Sequence, residues 1–317
     1  MRVLAAPDKF RGTLSAREAA AAIALGARRA GWDATELPLA DGGEGTLDVL
    51  GGGNRTTVVT GPLGEPVDAA WRLEDGVALI EAAQACGLTL AGGADGNDPL
   101  SATSRGVGEL IAAAIAAGAE RVVAAVGGVA STDGGVGAVA AVGGHLAVPL
   151  EVACDVEVRF LDAADVFAPQ KGATPEQVAV LRERLARLDV PDQPRAGAAG
   201  GLAGGLAAIG ATLVSGFALV AGRLELNARL AETDLVITGE GLVDATSVTG
   251  KVVGGVLSRA AEAGVDTLVI AGDVVTNSPI AAASLVALCG RERALADPAA
   301  CIAEVVEKEL TGRQRTA

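Results

Sequence analysis

The sequence predicts an α/β protein in which a doubly wound parallel sheet is interrupted by an inserted domain. Three observations support this prediction. Short apolar strands that end in Asp or Gly occur near both ends of the 317-residue chain, with helix-forming segments between them. In the middle of the chain, apolar and polar residues alternate in short segments joined by turn residues, which is typical of antiparallel strands. Half of the residues are hydrophobic, which is enough for two cores.

The predicted parallel sheet begins with two strands on either side of a helix. Residues 3–6 form an apolar run that ends in Pro-Asp, and residues 35–39 form a second run that ends in Ala-Asp-Gly-Gly. Ser15 precedes strong helix formers over residues 19–30, and Glu18 follows it by three residues. A Ser and a Glu at this spacing form a capping box, so the helix is predicted to begin after Ser15.

The middle of the chain is predicted to form an inserted α/β domain over residues 59–231. Three alternating segments joined by turn residues predict an antiparallel meander: residues 56–60, 66–73 and 77–82. Helices and strands then alternate again, with a predicted strand at 121–126, one further strand in the region of 152–154 and 156–160, and helices at 106–118 and 174–188. The change of period places the boundary near residue 58.

The parallel-strand pattern returns after Asp234 and completes the first domain, predicted to comprise residues 1–58 and 232–317. Three further strands share the short apolar character: residues 235–238, 267–271 and 284–289. Helices are predicted over 250–263 and 297–310. Together with the two N-terminal strands, these make five parallel strands, a number that suits a flavodoxin-like doubly wound sheet.

The charge of the chain restricts its partners. It contains 25 Lys and Arg against 39 Asp and Glu, a net charge of −14, which repels nucleic-acid phosphates and anionic lipids. We therefore expect a small-molecule substrate and neither a nucleic-acid nor a membrane partner. Residues 196–222 carry no charge, but their two Gly-Gly pairs favour a glycine-rich turn and a packed helix over a membrane span.

Histidine and cysteine usage narrows the chemistry further. The single histidine, His145, excludes a metal site built on several histidines, and its context favours a structural or solvent-facing ring. The four cysteines lie far apart and form no Cys-x-x-Cys pair: Cys86, Cys154, Cys289 and Cys301. This spacing favours free thiols and a cytoplasmic location.

Four loops that follow predicted parallel strands are rich in glycine and acidic residues: residues 6–12, 40–46, 238–241 and 271–273. The carboxyl ends of parallel strands meet at one sheet edge, where ligands bind. Glycine amides can approach a phosphate, and carboxylates can hold Mg²⁺ or accept a proton. One such loop alone is more often an ordinary turn, but four at one edge, with Lys9 and Arg11 among them, favour a ligand site.

The inserted domain adds a glycine-rich loop over residues 127–135, between a strand and a helix. Its amides suit an anion, although the P-loop pattern is absent. Lys171 stands just before the helix that Thr174 begins, and Lys251 shares a loop with Asp244. From spacing alone, each lysine is as compatible with a plain surface position as with ligand binding.

Several of these loops belong to longer segments that occur in a fixed order: APDKFRGTLSAREAA, ELPLADGGEGTLDVL, NDPLSATSRGVGELI, VGGVASTDGG, VFAPQKGAT, GAAGGLAGGL and LVITGEGLVDATSVTGK. They span nearly the whole chain and resemble the bacterial glycerate kinases of the first type. The resemblance implies ATP-dependent phosphorylation of D-glycerate with Mg²⁺ in the cytoplasm, and it favours the 2-hydroxyl. Two alternatives stay open: a kinase for another small hydroxy acid, and a non-catalytic ligand-binding relative.

The resemblance also implies roles for the loop residues in an in-line phosphoryl transfer. The catalytic candidates are Asp244, Asp133 and Lys251, and the substrate proton goes to one of these carboxylates or to Asp155 behind them. The candidates to hold Mg²⁺ are Asp41 and Glu44, with Glu240 nearby. The substrate- and phosphate-binding candidates are Asp8, Lys9, Arg11, Gly127, Gly128, Gly134, Lys171, Gly200, Gly201 and Glu240.

The chain departs from the family pattern at several positions. These are Arg11, Val129, Thr132, residues 157–160, Leu242 and Thr246. The polar groups lost at 129, 132, 242 and 246 are expected to change which hydroxy acid is held or to lower the activity.

Overall fold

The computed structural model describes residues 1–10, 12–248 and 251–316, so Arg11 lies outside the described residues. The chain packs as two compact units. Unit 1 comprises Met1–Asp41 and Phe217–Ala317, and unit 2 is the continuous segment Gly42–Gly216. The second unit is therefore inserted into the sequence of the first.

The elements of the described residues are numbered along the chain. The strands are β1 (Arg2–Ala5), β2 (Asp33–Glu36), β3 (Arg55–Thr60), β4 (Pro66–Glu74), β5 (Val77–Glu81), β6 (Arg121–Ala125), β7 (Leu150–Ala153), β8 (Thr212–Val214), β9 (Leu235–Val243), β10 (Asp266–Val274) and β11 (Ala283–Ser284). The helices are α1 (Ala16–Arg29), α2 (Thr46–Val49), α3 (Ala83–Cys86), α4 (Gly93–Gly96), α5 (Arg105–Ala116), α6 (Val136–Val142), α7 (Ala163–Phe167), α8 (Pro175–Ala186), α9 (Leu202–Ala208), α10 (Gly216–Arg223), α11 (Leu226–Leu230), α12 (Val252–Ala263), α13 (Leu285–Cys289), α14 (Arg291–Ala296) and α15 (Pro298–Thr316).

Unit 1 contains a parallel sheet with the strand order β11-β10-β9-β1-β2. Counted within this unit, the order is fifth, fourth, third, first, second, which is the flavodoxin-like order. Val3 on β1 lies opposite Leu235 on β9 and opposite Ala34 on β2. The predicted flavodoxin-like sheet is confirmed, and its strand order reverses between β1 and β9.

The segment predicted as the fifth strand is mostly helical. β11 ends at Ser284, and α13 begins at Leu285. The Ser284 hydroxyl accepts the backbone N–H of Ala287 at 3.2 Å and caps this helix. The prediction of a strand over 284–289 is therefore wrong beyond Ser284, because a short apolar run fits a buried strand and a buried helix equally well.

Helices α1 and α15 pack closely in unit 1. Ile23 of α1 and Ile302 of α15 are fully buried in one apolar cluster with residues of β9. A Cβ atom on Gly26 would lie 2.4 Å from the carbonyl oxygen of Ala303, so only glycine permits this approach. The capping box predicted at Ser15 is present and begins α1.

Unit 2 contains a sheet with the order β3-β4-β5-β6-β7-β8. The first three strands are antiparallel and confirm the predicted meander, whereas β5 to β8 run parallel. Trp71 on β4 is buried in the core, and its indole N–H donates to the Thr57 hydroxyl at 2.9 Å. This mixed sheet confirms the α/β class of the insertion.

The strand predicted in the region of 152–160 does not extend over 156–160. The chain leaves β7 at Ala153 and is irregular up to Phe160, which begins a single helical turn. The Phe160 ring is fully buried in a cluster with Leu181 and Leu185 of α8. Apolar residues in this segment therefore fill a helical layer and do not extend the sheet.

The uncharged segment 196–222 is divided between α9, β8 and α10. Within the described part of the chain, no helix combines the length and the apolar character needed to cross a membrane. The predicted turn and packed helix are present, with a short strand between α9 and α10 that the sequence did not indicate.

The chain passes between the units at 41–42 and 216–217, before the predicted positions near 58 and 231. β3 pairs with β4 in unit 2, and the ring of Phe217 contacts Gly255 in unit 1. The two ends of unit 2 lie side by side, because a Cβ atom on Gly42 would lie 2.9 Å from the Cα atom of Gly216. The Asp155 carboxylate also fixes the position of Gly216, because it accepts the N–H of Gly216 at 3.0 Å.

Candidate active site

The loop after β1 lies along the middle of β9, where the strand order of unit 1 reverses. The loops predicted at 238–241 and 271–273 do not form, because β9 continues to Val243 and β10 to Val274. The N–H of Asp8 donates to the carbonyl of Gly239 at 2.9 Å, and the Thr238 hydroxyl donates to the carbonyl of Ala6 at 2.8 Å. In open α/β sheets, ligands bind outside the carboxyl ends of the strands at this reversal. Asp8 and Glu240 therefore stand where unit 1 is expected to bind a ligand.

Four carboxylates gather at this edge of unit 1: Asp8, Asp41, Glu240 and Asp244. Burial, with a smaller contribution from the Asp41 carboxylate, raises the pKa of Asp8 from 3.8 to about 7. Burial also raises the pKa of Glu240, with Asp244 and Asp41 acting in the same direction. The Oε1 atom of Glu240 is buried and has no hydrogen-bond partner among the described residues. Because like charges repel at short range, this group favours a bound cation.

Two lysines lie among these carboxylates. Lys9 lowers the pKa of Asp8, and Lys251 lowers that of Glu240, in both cases against the larger effect of burial. Lys251 directly precedes α12 in extended conformation. The structure thus brings together six of the residues singled out from the sequence: Asp8, Lys9, Asp41, Glu240, Asp244 and Lys251.

The glycine-rich loop of unit 2 is built around Asp133. Its carboxylate accepts the N–H and the hydroxyl of Ser104 at 2.9 and 2.8 Å, and the N–H groups of Gly135 and Gly137 at 3.1 and 3.3 Å. The Ser104 hydroxyl in turn accepts the N–H of Ala138 at 3.1 Å. These bonds tie the start of α5 to the start of α6, which favours a positioning role for Asp133 over proton transfer.

Lys171 is buried beneath the same loop. Its side-chain nitrogen donates to the carbonyl of Ser131 at 2.5 Å and would lie 3.0 Å from a Cβ atom on Gly200. Burial lowers the pKa of Lys171 to about 8, although Cys86 and Asp133 oppose this change. Lys171 therefore braces the loop of Ser131 against the loop of Gly200, whose carbonyl also accepts the N–H of Gly134 at 3.1 Å.

The loop of residues 42–46 packs on the loop of residues 127–135 in unit 2. A Cβ atom on Gly127 would lie 2.6 Å from the Cα atom of Gly43, and one on Gly128 would lie 3.5 Å from the Cβ atom of Glu44. Glycine at 127 is therefore required by the close approach. Glu44 belongs to this unit, whereas Asp41 belongs to the carboxylate group of unit 1.

Sequence reasoning missed two residues that shape these loops. Glu81, the last residue of β5, is buried and accepts the N–H groups of Gly45 and Leu47 at 3.0 and 2.9 Å. The Asn97 side chain donates to the carbonyl of Lys171 at 2.8 Å and to that of Ala130 at 3.3 Å. A glutamate that ends an otherwise apolar strand was the available signal for Glu81.

The fold and these loops agree with known proteins. The sequence profile of the glycerate kinase family matches residues 3–148 and 145–310. The chain belongs to the glycerate kinase family. It is 38% identical over 327 residues to the glycerate 2-kinase of Escherichia coli K12, covering 86% of each chain. It is 39% identical over 331 residues to the glycerate kinase of Bacillus subtilis 168, covering 88% of this chain and 86% of that one.

A solved structure supports the same assignment. The crystal structure of a Salmonella typhimurium LT2 protein assigned as glycerate kinase 2 superposes with a TM-score of 0.80 at 35% identity. The alignment covers 100% of this chain and 99% of the other. The two-domain α/β architecture of unit 1 and unit 2 is therefore that of the glycerate kinase family.

The residues at which this glycerate kinase family member departs from the family pattern lie in different surroundings. Val129 and Thr132 are buried, and the Thr132 hydroxyl has no hydrogen-bond partner among the described residues. Leu242 is exposed on β9. Glu157 forms an ion pair with Arg195 at 2.8 Å. The side chain of Thr246 is outside the described part of the structure.

The remaining candidates from the sequence are also located. His145 is exposed, as predicted, and its Nδ1 atom lies 3.2 Å from the carbonyl of Gly143. In the described residues all four cysteines are free thiols. Across the same residues, no group of three or more His, Cys, Asp or Glu side chains has the arrangement of a metal centre. Mg²⁺ commonly takes only one or two carboxylates and fills its other positions with phosphates and water, so Asp41 and the unpartnered Glu240 oxygen fit it.

Proposed function

We propose that this glycerate kinase family member transfers the γ-phosphoryl group of ATP to the 2-hydroxyl of D-glycerate in the cytoplasm. The observation that carries the proposal is the group of carboxylates and lysines at the strand-order reversal of unit 1. The choice of substrate and of the 2-hydroxyl is supported by the name of the E. coli relative, a glycerate 2-kinase.

The proposed reaction is an in-line displacement. The 2-hydroxyl oxygen of glycerate forms a bond to the γ-phosphorus while the bond from that phosphorus to the ADP oxygen breaks, and the hydroxyl proton passes to a carboxylate. We assign that acceptor to Asp244, which lies beside Glu240 in the carboxylate group of unit 1. We assign a positioning role to Asp133, which accepts hydrogen bonds from Ser104, Gly135 and Gly137. Catalysis then rests on positioning and on neutralising phosphate charge.

In the proposed reaction, the lysines and Mg²⁺ neutralise the negative charge of the ATP phosphates. Lys9 and Lys251 lie among the unit 1 carboxylates, where an ammonium can accompany a phosphate group. In unit 1, Mg²⁺ would be held by Asp41 and Glu240, and when bound it would neutralise the phosphate oxygens. In unit 2, Glu44 is proposed as a Mg²⁺ ligand. The Asp8 carboxyl group would lie beside the Mg²⁺ site of unit 1. Arg11 lies three residues after Asp8 in the sequence.

The glycine-rich loops of unit 2 supply backbone donors. Gly127, Gly128, Gly134, Gly200 and Gly201 leave room for an anion to approach the main chain, and we propose that they bind phosphate or the glycerate carboxylate. Lys171 is assigned a bracing role between these loops, since its nitrogen already donates to Ser131 and only 4% of the residue is exposed.

The proposal is tested by ADP release coupled to NADH oxidation, with D-glycerate, L-glycerate, glycolate, lactate and tartrate as acceptors and Mg²⁺ present. We expect D-glycerate to give the highest kcat/KM and ³¹P spectroscopy to show the 2-phosphate. Turnover of another hydroxy acid at higher kcat/KM would favour the alternative kinase. Folded protein that binds these acids but releases no ADP above the ATPase background would favour the non-catalytic alternative.

A further inference from the structure

A buried carboxylate lies under the glycine-rich loop of residues 42–47. Glu81 ends β5, and only 2% of the residue is exposed. Its Oε2 atom accepts the N–H of Gly45 at 3.0 Å and the N–H of Leu47 at 2.9 Å. One carboxylate oxygen thus holds the chain on both sides of Thr46.

Within the loop, the Thr46 hydroxyl donates to the carbonyl of Gly43 at 2.7 Å, and Glu81 adds a second restraint from outside the loop. Gly42 and Gly45 both have positive φ, +82° and +94°, and glycine loses more backbone freedom on ordering than any other residue. Taking a carboxylate out of water is costly unless its hydrogen bonds are made. Bonds from N–H groups to a charged oxygen are about twice as strong as those to a neutral one, so a carboxylate holds the loop more firmly.

The support extends to the neighbouring glycine-rich loop. Glu81 pairs with Ala125, the last residue of β6, so both residues stand at the same end of the sheet. Gly127 then follows β6 and packs on Gly43, with 2.6 Å between a Cβ atom built on Gly127 and the Gly43 Cα atom. A shift of the 42–47 loop would therefore also move the loop of Gly127.

We propose that Glu81 is a positioning residue for phosphoryl transfer. It holds the 42–47 loop in the one arrangement in which Glu44 and the loop amides meet Mg²⁺ and the nucleotide phosphates. This inference rests on the proposed function, since that function supplies the ligand of the loop. Glu81 acts through the backbone of Gly45 and Leu47 and does not itself touch substrate.

The test compares Glu81→Gln and Glu81→Ala with the wild type and with Glu120→Gln, an exposed glutamate just before β6 at the opposite end of the sheet. Amide hydrogen exchange of Gly45 and Leu47 is measured with and without Mg²⁺ and a non-hydrolysable ATP analogue. We expect exchange to be about ten- to a hundredfold faster in Glu81→Ala, with Glu81→Gln intermediate and Glu120→Gln unchanged.

Kinetics separate positioning from a merely structural role. In Glu81→Ala we expect kcat to fall at least tenfold and the Mg²⁺ concentration for half-maximal rate to rise, and Glu81→Gln should recover part of both. Faster exchange with unchanged kcat and Mg²⁺ dependence would overturn the proposal, as would unchanged exchange. If the wild type releases no ADP, the proposed function fails separately. In that case, the ligand-dependent protection of the Gly45 and Leu47 amides tests the role of Glu81. Loss of this protection in Glu81→Ala would support the proposal, and its retention would overturn it.

Discussion

The side-chain nitrogen of Lys171 donates a hydrogen bond to the backbone carbonyl of Ser131 at 2.5 Å. This bond spans two parts of unit 2, the turn before α8 and the glycine-rich loop before α6. It also brings the ammonium against Gly200, in a second glycine-rich loop. The lysine that the sequence suggested as a phosphate ligand thus stabilises the loops proposed to bind phosphate.

Replacing Lys171 by Met should impair turnover without unfolding the protein. Met fills a similar volume but cannot donate, so the Ser131 carbonyl loses its partner and the two loops lose their brace. We expect kcat/KM for D-glycerate to fall at least tenfold, since a lost bond from a charged donor is worth about 1.5–3 kcal/mol. Lys308→Met, at an exposed position of α15, is the control. Wild-type kinetics in Lys171→Met would show that the brace is dispensable.

The buried Lys171 and Cys86 should give unit 2 a characteristic pH dependence. Burial lowers the pKa of Lys171 from 10.5 to about 8, so above pH 8 the folded chain has lost a proton that the unfolded chain retains, and stability rises with pH. Burial raises the pKa of Cys86 from 9.0 to about 12, so above pH 9 the folded chain retains a proton that the unfolded chain loses, and stability falls. Burial also raises the pKa of Cys154 in unit 2, to about 12. Urea unfolding should therefore show a rise of about 1 kcal/mol from pH 8 to 9 and a fall above pH 9, where two cysteines outweigh one lysine. Lys171→Met should lack the rise.

Asp8→Asn should stabilise the protein while impairing its activity. The folded-state pKa of Asp8 is raised from 3.8 to about 7, so ionising this buried carboxyl group destabilises the folded state as pH rises through that interval. Asn keeps the oxygen that accepts the N–H of Lys9 at 2.7 Å. We expect equal stability of variant and wild type near pH 4 and a gain of about 4 kcal/mol at pH 8. Thermal unfolding of Asp33→Asn, exposed on β2, provides the baseline, and a gain that is independent of pH would contradict the assignment.

Comparing Asp244→Asn with Asp133→Asn should distinguish a residue that accepts the substrate proton from one that only stabilises a loop. Asp133 accepts four hydrogen bonds, and an amide nitrogen in place of one oxygen turns an acceptor into a donor. We therefore expect Asp133→Asn to lose about 2 kcal/mol or more of stability. Asp244→Asn should keep the wild-type unfolding midpoint and lose turnover by orders of magnitude. The reverse pattern, an unstable Asp244→Asn and an inactive but stable Asp133→Asn, would exchange their roles.

Lys251→Ala should reduce turnover and shift its pH dependence. Lys251 lowers the pKa of the partly buried Glu240, so without it that carboxyl group stays protonated to higher pH. The acid limb of the kcat/KM profile should therefore move to higher pH, and the Mg²⁺ requirement should increase. Turnover with an unchanged profile would indicate that Lys251 lies outside the reacting groups.

Much of unit 1 could be predicted from the sequence because its signals are local. The Asp8 loop follows a short apolar strand, and parallel strands bring such positions to one edge whatever the details of packing. The loop predicted around Glu240 does not form, because β9 continues through it to Val243. The helix over 285–289 could not be distinguished from a strand, because its one discriminating feature is the Ser284 cap. The sequence alone does not show whether a serine side chain faces its own backbone.

The roles in unit 2 were harder to predict because they depend on burial. Lys171 and Asp133 have the residue types of ligand-binding groups, but the structure turns both inward, toward Ser131 and Ser104. Glu81 lies 36 residues beyond the glycine whose N–H it accepts. Such long-range contacts between side chain and backbone leave no periodic trace in a sequence.

The contact between Gly42 and Gly216 has an evolutionary consequence. Since the inserted segment starts and finishes at one point, a single insertion of foreign coding sequence into a loop of an ancestral five-stranded protein is enough to create this chain. Unit 2 should also be simple to remove. Asp41 precedes Gly42 and Phe217 follows Gly216, and the two glycines touch. Because consecutive Cα atoms are only about 3.8 Å apart, Asp41 and Phe217 are close enough to be joined by a short linker. A linker of a few residues between them should yield an independently folding ancestor-like protein, open to a new insert at the same position.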